Sequence, residues 1–158
     1  VSDENFELRR VSISSPAATS LIEALDAELL DRYPEDDSVD HFRLDATEVE
    51  PGRGAFFVVY ARAGAVACGA VRMIDSDIAE VKRMYVHPAM RGRGLGRQLL
   101  AAIEAEARVL GATKIALETG PRQPEAIGLY ASAGFVQIPA FGDYEDSSLS
   151  VFMGKRLY

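Results

Sequence analysis

The chain has 158 residues, 48% of them hydrophobic, with 17 Lys and Arg against 24 Asp and Glu and a formal net charge of −7. That length suits one domain, residues 1–158, with a core large enough to stand without staples; the acidic balance argues against nucleic acid as a partner. One cysteine, Cys68, and two distant histidines, His41 and His87, leave no internal disulfide and no recognisable metal motif, and the absence of a signal peptide or a run of about 20 apolar residues points to the cytoplasm rather than a membrane.

Phe6 to Ile13 alternates in part and reads as a first strand. Ser15 followed by Pro16 is a helix start. Leu21, Leu25 and Leu29, with Ile22 and Leu30, form an apolar stripe that runs to Tyr33 and Pro34. An acidic loop follows with Glu35, Asp36, Asp37 and Asp40, then a short helix around Asp45 to Val49. Pro51-Gly52-Arg53-Gly54 breaks the chain. Ala55 to Arg62, Val66 to Ile74 and Ile78 to Val86 are three strands, turned at Ala63-Gly64 and Asp75-Ser76-Asp77, and they form an antiparallel meander.

The third of these strands feeds Arg91-Gly92-Arg93-Gly94-Leu95-Gly96-Arg97. Glycines let the backbone turn tightly and approach a ligand. The first N–H groups of the following helix lack helical partners and carry about half a positive charge. Together with three arginines they predict a pyrophosphate site. Neither a P-loop nor a dinucleotide fingerprint fits: no Lys-Ser/Thr follows Gly96, and Arg97 or Leu99 occupies the last glycine position. In the helix, Leu95, Leu99, Ile103 and Ala107 share one face, beside Leu100 and Leu110, and Glu104, Glu106 and Arg108 are expected in water. Gly111 stops it, and Lys114 to Thr119 is a strand, so the stretch is a βαβ-type unit with a parallel pair. A helix starts at Pro124 and ends at Gly134; Val136 to Ile138 and Leu149 to Leu157 are the last strands.

Arg-x-x-Gly-x-Gly at a strand-to-helix junction resembles the coenzyme A pyrophosphate loop of the GNAT N-acetyltransferase superfamily. Ala126, Leu129, Tyr130, Gly134 and Phe135 match that family's Ala-x-x-Leu-Tyr-x-x-x-Gly-Phe helix; Gln123 stands where the family often has asparagine. The resemblance covers residues 78–157 well. It implies an α/β fold: a mixed, mostly antiparallel sheet flanked by helices, with the cofactor loop on a parallel βαβ crossover. It also implies a splay between the fourth and fifth strands, acetyl-CoA as co-substrate without a metal, and an amine acceptor. The pantetheine arm would bond to the backbone of Met84, Tyr85 and Val86, the pyrophosphate to Arg91 through Arg97, and Gln123 and Tyr130 would border the cofactor.

Acetyl transfer to an amine needs a base, an oxyanion donor and a proton for the leaving thiolate. Tyr130 matches the family's general acid. Glu80 and Glu118 are the candidate bases, Glu80 placed first; each could instead be structural, Glu80 in a salt bridge to Lys82 or Arg83, and Glu118 paired with a nearby arginine such as Arg122 or in a structural hydrogen bond. By strand parity Glu80, Lys82, Met84 and Val86 share one face unless a bulge intervenes. The acidic loop and Asp143, Glu145 and Asp146 would rim the acceptor site and favour a cationic amine. Tyr33, Phe42, Phe141 and Tyr144 could line it, and His87 reads as a loop residue. The alternative function is a catalytically silent coenzyme A-binding sensor, and the chain is expected as a monomer or homodimer.

Overall fold

A computed structural model describes residues 5–35 and 43–158. Asp36, Asp37, Asp40, His41 and Phe42 therefore lie outside the described residues. The first strand is shorter than predicted, β1 (Glu7–Arg10). Helix α1 (Pro16–Arg32) starts where Ser15 predicts, the Ser15 hydroxyl accepting the Ala18 N–H at 3.2 Å. Its buried stripe is Ala18, Leu21, Leu25 and Leu29. Leu30 does not join it. One residue beyond Leu29 turns about 100° around the helix, and Leu30 is 62% exposed. A 3-10 turn, Ala46–Val49, occupies the predicted short helix.

The meander consists of β2 (Gly54–Ala61), β3 (Gly64–Met73) and β4 (Ile78–Val86). Asp75 fixes the last turn by accepting the N–H groups of Asp77 and Ile78. After α2 (Leu95–Val109) come β5 (Lys114–Thr119), α3 (Pro124–Ser132), β6 (Val136–Gln137) and β7 (Val151–Arg156). The seven strands lie in the order β1-β2-β3-β4-β5-β7-β6, and only β4 and β5 run parallel. This is the expected mixed sheet.

Two cores follow from the two faces. α1 packs over Phe56, Val58, Cys68, Ala70 and Tyr85. α2 covers the other side, with Leu99, Leu100 and Ile103 over Val59, Val71, Val81, Ile115 and Leu117. One expectation fails here: Glu104 is buried rather than in water, because Lys155 from β7 reaches it at 2.7 Å. A buried carboxylate requires such a cation.

Candidate active site

The parallel ladder between β4 and β5 is short. Ile78 to Val81 pair with Lys114 to Leu117, and there it stops. Beyond that point Lys82 to Val86 and Glu118 to Thr119 diverge, and a cleft of about 600 Å³ opens between them, within the range of small-molecule sites. The cause lies in β4. Tyr85 pairs with Cys68 but Lys82 with Ala70, so β4 holds one more residue than β3 across the same span. The extra residue is a bulge at Arg83, whose φ of 58° is the only positive value outside glycine among the described residues. Such strain persists where contacts hold it; the Arg83 guanidinium is tied to Asp26 at 2.6 Å and to the Ile22 carbonyl, both on α1.

The bulge corrects the parity expectation. Glu80 and Lys82 do not share a face with Met84 and Val86. Met84 and Val86 pack with the α2 core, and the Met84 sulfur lies over Gly69. Tyr85 moves to the α1 face.

At one end of the cleft is the glycine loop. Gly92 and Gly94 have φ values of 82° and 81°, and no atom lies within 4 Å of where a side chain would start. The first helical bond runs from Gln98 N–H to the Gly94 carbonyl at 3.0 Å, leaving the N–H groups of Leu95, Gly96 and Arg97 at the helix start without helical acceptors. Gly96 serves a different need: a Cβ there would sit 2.9 Å from Leu129 Cδ2, so glycine lets α2 close on α3. The three arginines also differ. Arg91 is held inward, donating to the Val86 carbonyl at 2.9 Å and to Glu28 at 2.6 Å. Arg97 is exposed and reaches the Ser132 hydroxyl, and Arg93 is exposed. His87 is an exposed loop residue whose Nδ1 accepts the Ala89 N–H.

α1 also braces the β5–α3 loop. Arg32 pairs with Glu125 at 2.5 Å, and Arg122 with Glu35. Buried Tyr33 accepts the Arg122 N–H at 3.0 Å and donates to Gln123 at 3.4 Å. Gln123 and Tyr130 both line the cleft. Tyr130 is 5% exposed, its ring packs on Phe135, and its hydroxyl makes no hydrogen bond among the described residues. Burial alone pushes its phenol well above the ordinary tyrosine range. Thr119, on the last residue of β5, is a second buried hydroxyl in the cleft wall with no hydrogen bond among the described residues.

At the other end lie the two carboxylates: Glu80 bonds to Arg72 and Tyr144 rather than to Lys82 or Arg83, and Glu118 makes the structural hydrogen bond that was one of its expected alternatives. Glu80 is 1% exposed. Its Oε1 accepts from Arg72 at 2.8 Å and its Oε2 from the Tyr144 hydroxyl at 2.6 Å. Arg72 continues to Glu48. Glu118 is partly exposed and accepts from the Ser150 hydroxyl at 2.7 Å. Lys82 is buried beside them and donates to the Arg43 carbonyl and the Tyr144 hydroxyl; desolvation lowers its pKa. Tyr144 lines the cleft and packs against Phe141 and Phe152, while Asp143, Glu145 and Asp146 on the same loop are exposed.

Sequence reading passed over Arg72, Thr119 and Glu28. Arg72 had a signal: a hairpin turning at Asp75-Ser76-Asp77 sets Arg72 opposite Glu80, and the register is the observed one. Thr119 and Glu28 had none, because their surroundings come from distant parts of the chain. Among the described residues no group of three or more His, Cys, Asp or Glu could hold a metal, and no helix is long and apolar enough to cross a membrane.

Known proteins share this architecture. The chain is 40% identical over 155 residues to the IAA acetyltransferase of Azospirillum brasilense, covering 97% of this chain and 99% of that one. A crystal structure of an acyl-CoA N-acyltransferase-type protein from Klebsiella pneumoniae superposes with a TM-score of 0.80 at 33% identity, over 97% of this chain and 98% of that one. The PaiA N-acetyltransferase of Thermoplasma acidophilum, solved with coenzyme A, shares the fold with a TM-score of 0.70 at 17% identity, over 96% and 99% of the two chains. Residues 20–135 match the model of the Acetyltransferase (GNAT) family, and with a relative matched over nearly its whole length the chain belongs to the GNAT acetyltransferases.

Proposed function

We infer that this protein transfers the acetyl group of acetyl-CoA to a primary amine of a small molecule or peptide by direct attack. One observation carries the reading: the splay of β4 from β5 opens a single cleft with the glycine loop at one end and the buried, unbonded Tyr130 hydroxyl in its wall. A hydroxyl that makes no bond within the protein and lies in the cleft wall is open to a ligand. A coenzyme A-binding sensor needs the loop but gives that hydroxyl no task, so the catalytic reading is preferred.

Acetyl-CoA supplies the activated thioester. The N–H groups at the start of α2 and the exposed Arg93 and Arg97 take its pyrophosphate. Arg91 contributes from behind, fixing the Val86 carbonyl and the loop. The backbone of Met84, Tyr85 and Val86, with no strand beside it on the β5 side, takes the pantetheine arm. Gln123 borders the cofactor from the start of α3. Tyr130 gives its proton to the leaving thiolate, and burial keeps the phenol protonated for that purpose.

For the base, Glu118 suits better than Glu80. Both Glu80 oxygens already accept, one from an arginine. Glu118 is more exposed, stands where the strands part, and can take the ammonium proton directly or through water. The exposed acids of the Tyr144 loop support a cationic acceptor, through steering rather than contact. Glu35 is already engaged by Arg122.

The test is release of free coenzyme A thiol from acetyl-CoA over a panel of primary amines, cationic and neutral. Amine-dependent thiol release with recovery of the N-acetyl product is expected. Tight binding of acetyl-CoA without release on any acceptor would favour the sensor.

A further inference from the structure

Glu80 sits on the strand that carries the cofactor backbone, yet its surroundings differ from those of a working base. It is 1% exposed, and it is the middle of a chain that runs Glu48, Arg72, Glu80, Tyr144. The chain begins in the 3-10 turn before β2, crosses β3 and β4, and ends in the loop between β6 and β7. A buried carboxylate whose two oxygens accept from a guanidinium and a phenol is held in place by both, and neither oxygen is turned to an incoming amine.

Tyr144 is the one end of this chain that faces the cleft, and its hydroxyl is held from both sides. It donates to Glu80 at 2.6 Å and accepts from Lys82 at 3.4 Å. Its ring is clamped edge-on by Phe141 at 5.3 Å and tilted against Phe152 at 5.7 Å. Residues 138–150 contain no helix or strand, so these contacts fix their position over the sheet. Burial and the adjacent Glu80 charge raise the Tyr144 pKa, so the phenol remains the donor.

We propose that Glu80 is a positioning residue rather than the base: braced by Arg72 on one oxygen, it holds the Tyr144 hydroxyl with the other, and Tyr144 with its loop forms the wall that selects the acceptor. The proposal deepens the acetyltransferase reading and rests on it for its kinetic arm. It separates two roles that a lone carboxylate on this strand would merge.

Three variants test it. Glu80→Gln keeps the side-chain shape and one oxygen to accept from Arg72, with its NH2 able to donate to the Tyr144 oxygen, but has no basicity. Its kcat should stay within about threefold of the parent, where loss of a general base costs about 10²–10⁴-fold. Glu80→Ala and Tyr144→Phe should each raise the acceptor KM about tenfold, leave the acetyl-CoA Kd within twofold, and fail to add when combined, because both break one bond. Hydrogen exchange supplies a readout that needs no acceptor. Amides in residues 139–150 should exchange about tenfold faster in Glu80→Ala and Tyr144→Phe, near the parent rate in Glu80→Gln, and unchanged in Glu118→Gln. A kcat collapse in Glu80→Gln with a steady loop would overturn the proposal, as would unchanged exchange in Glu80→Ala. Absence of turnover on every amine would count against the acetyltransferase reading, and the exchange pattern would still decide whether Glu80 holds the loop.

Discussion

On the proposed reading, the groups at the cofactor end of the cleft come mainly from one continuous stretch, Met84 to Arg97, joined by Gln123 and Tyr130 of α3, and many of them are backbone. At the acceptor end, Arg72, Glu80, Lys82, Glu118 and Tyr144 come from three strands and a late loop, and all act through side chains. The first end needs only local geometry: a bulge, two left-handed glycines and a helix start. The second needs the finished fold, since the bond from Tyr144 to Glu80 spans 64 residues of sequence. On the same reading, the first end takes the cofactor by local backbone geometry, and the second takes the acceptor by side chains that only the folded sheet brings together.

That contrast can be broken at its strongest point, the hydroxyl between the two ends. Tyr130→Phe should lower kcat by about 10²–10⁴-fold with acetyl-CoA affinity nearly intact. The pH profile gives a sign to check. The acid works while protonated, and burial moves its pKa up from about 10, so kcat should hold level from pH 7 to 10 without an alkaline fall due to this group. An alkaline limb below pH 10 that disappears in Tyr130→Phe would contradict the burial argument.

Next in size is Arg72→Met. It leaves the Glu80 carboxylate buried without its cation, at a cost of about 3 kcal/mol. For a chain of this length that lowers Tm by roughly 6–12 °C, which calorimetry would register. Gly94→Val acts at the opposite end. A branched side chain at φ 81° blocks approach to the helix start, and acetyl-CoA affinity should fall at least about tenfold in titration calorimetry. Smallest are Arg93→Met and Arg97→Met. Each should weaken acetyl-CoA about twofold to fivefold, the effect shrinking as salt rises from 0.01 to about 0.1 M, because exposed charges are screened. If the arginine changes exceeded the glycine change, the claim that backbone dominates the cofactor end would fail.

Legibility in the sequence follows the same division. β4 and β5 occupy the predicted residues, Ile78–Val86 and Lys114–Thr119, and α1 starts at its predicted cap. These elements declare themselves through period, turn residues and caps within a few positions. The bulge at Arg83 does not. An arginine with positive φ carries no local mark, and it is held by Asp26, 57 residues earlier. Leu30 and Glu104 misled for a related reason. Leu30 follows a buried leucine but points away, and Glu104 is drawn into the core by a lysine from β7 that periodicity cannot see. At the site, Tyr130 and the glycine loop were legible because each sits in a spaced motif. The partners of Glu80 and Glu118 were not, apart from the hairpin register that sets Arg72 opposite Glu80.

The contact between Gly96 and Leu129 has a consequence for the length of the ligand. Gly96 lies in the first turn of α2, the helix whose start would take the pyrophosphate on the proposed reading, and Leu129 immediately precedes Tyr130 on α3. The close packing of Gly96 against Leu129 sets the start of α2 directly beside the turn of α3 that carries Tyr130. The pair works as a gauge. On the proposed reading, a thioester reaches the phenol only if the arm joining it to its pyrophosphate has the length of pantetheine. Shorter or longer carriers would be held by the loop yet left unreacted, a selection made by spacing rather than by any group that touches the acyl chain.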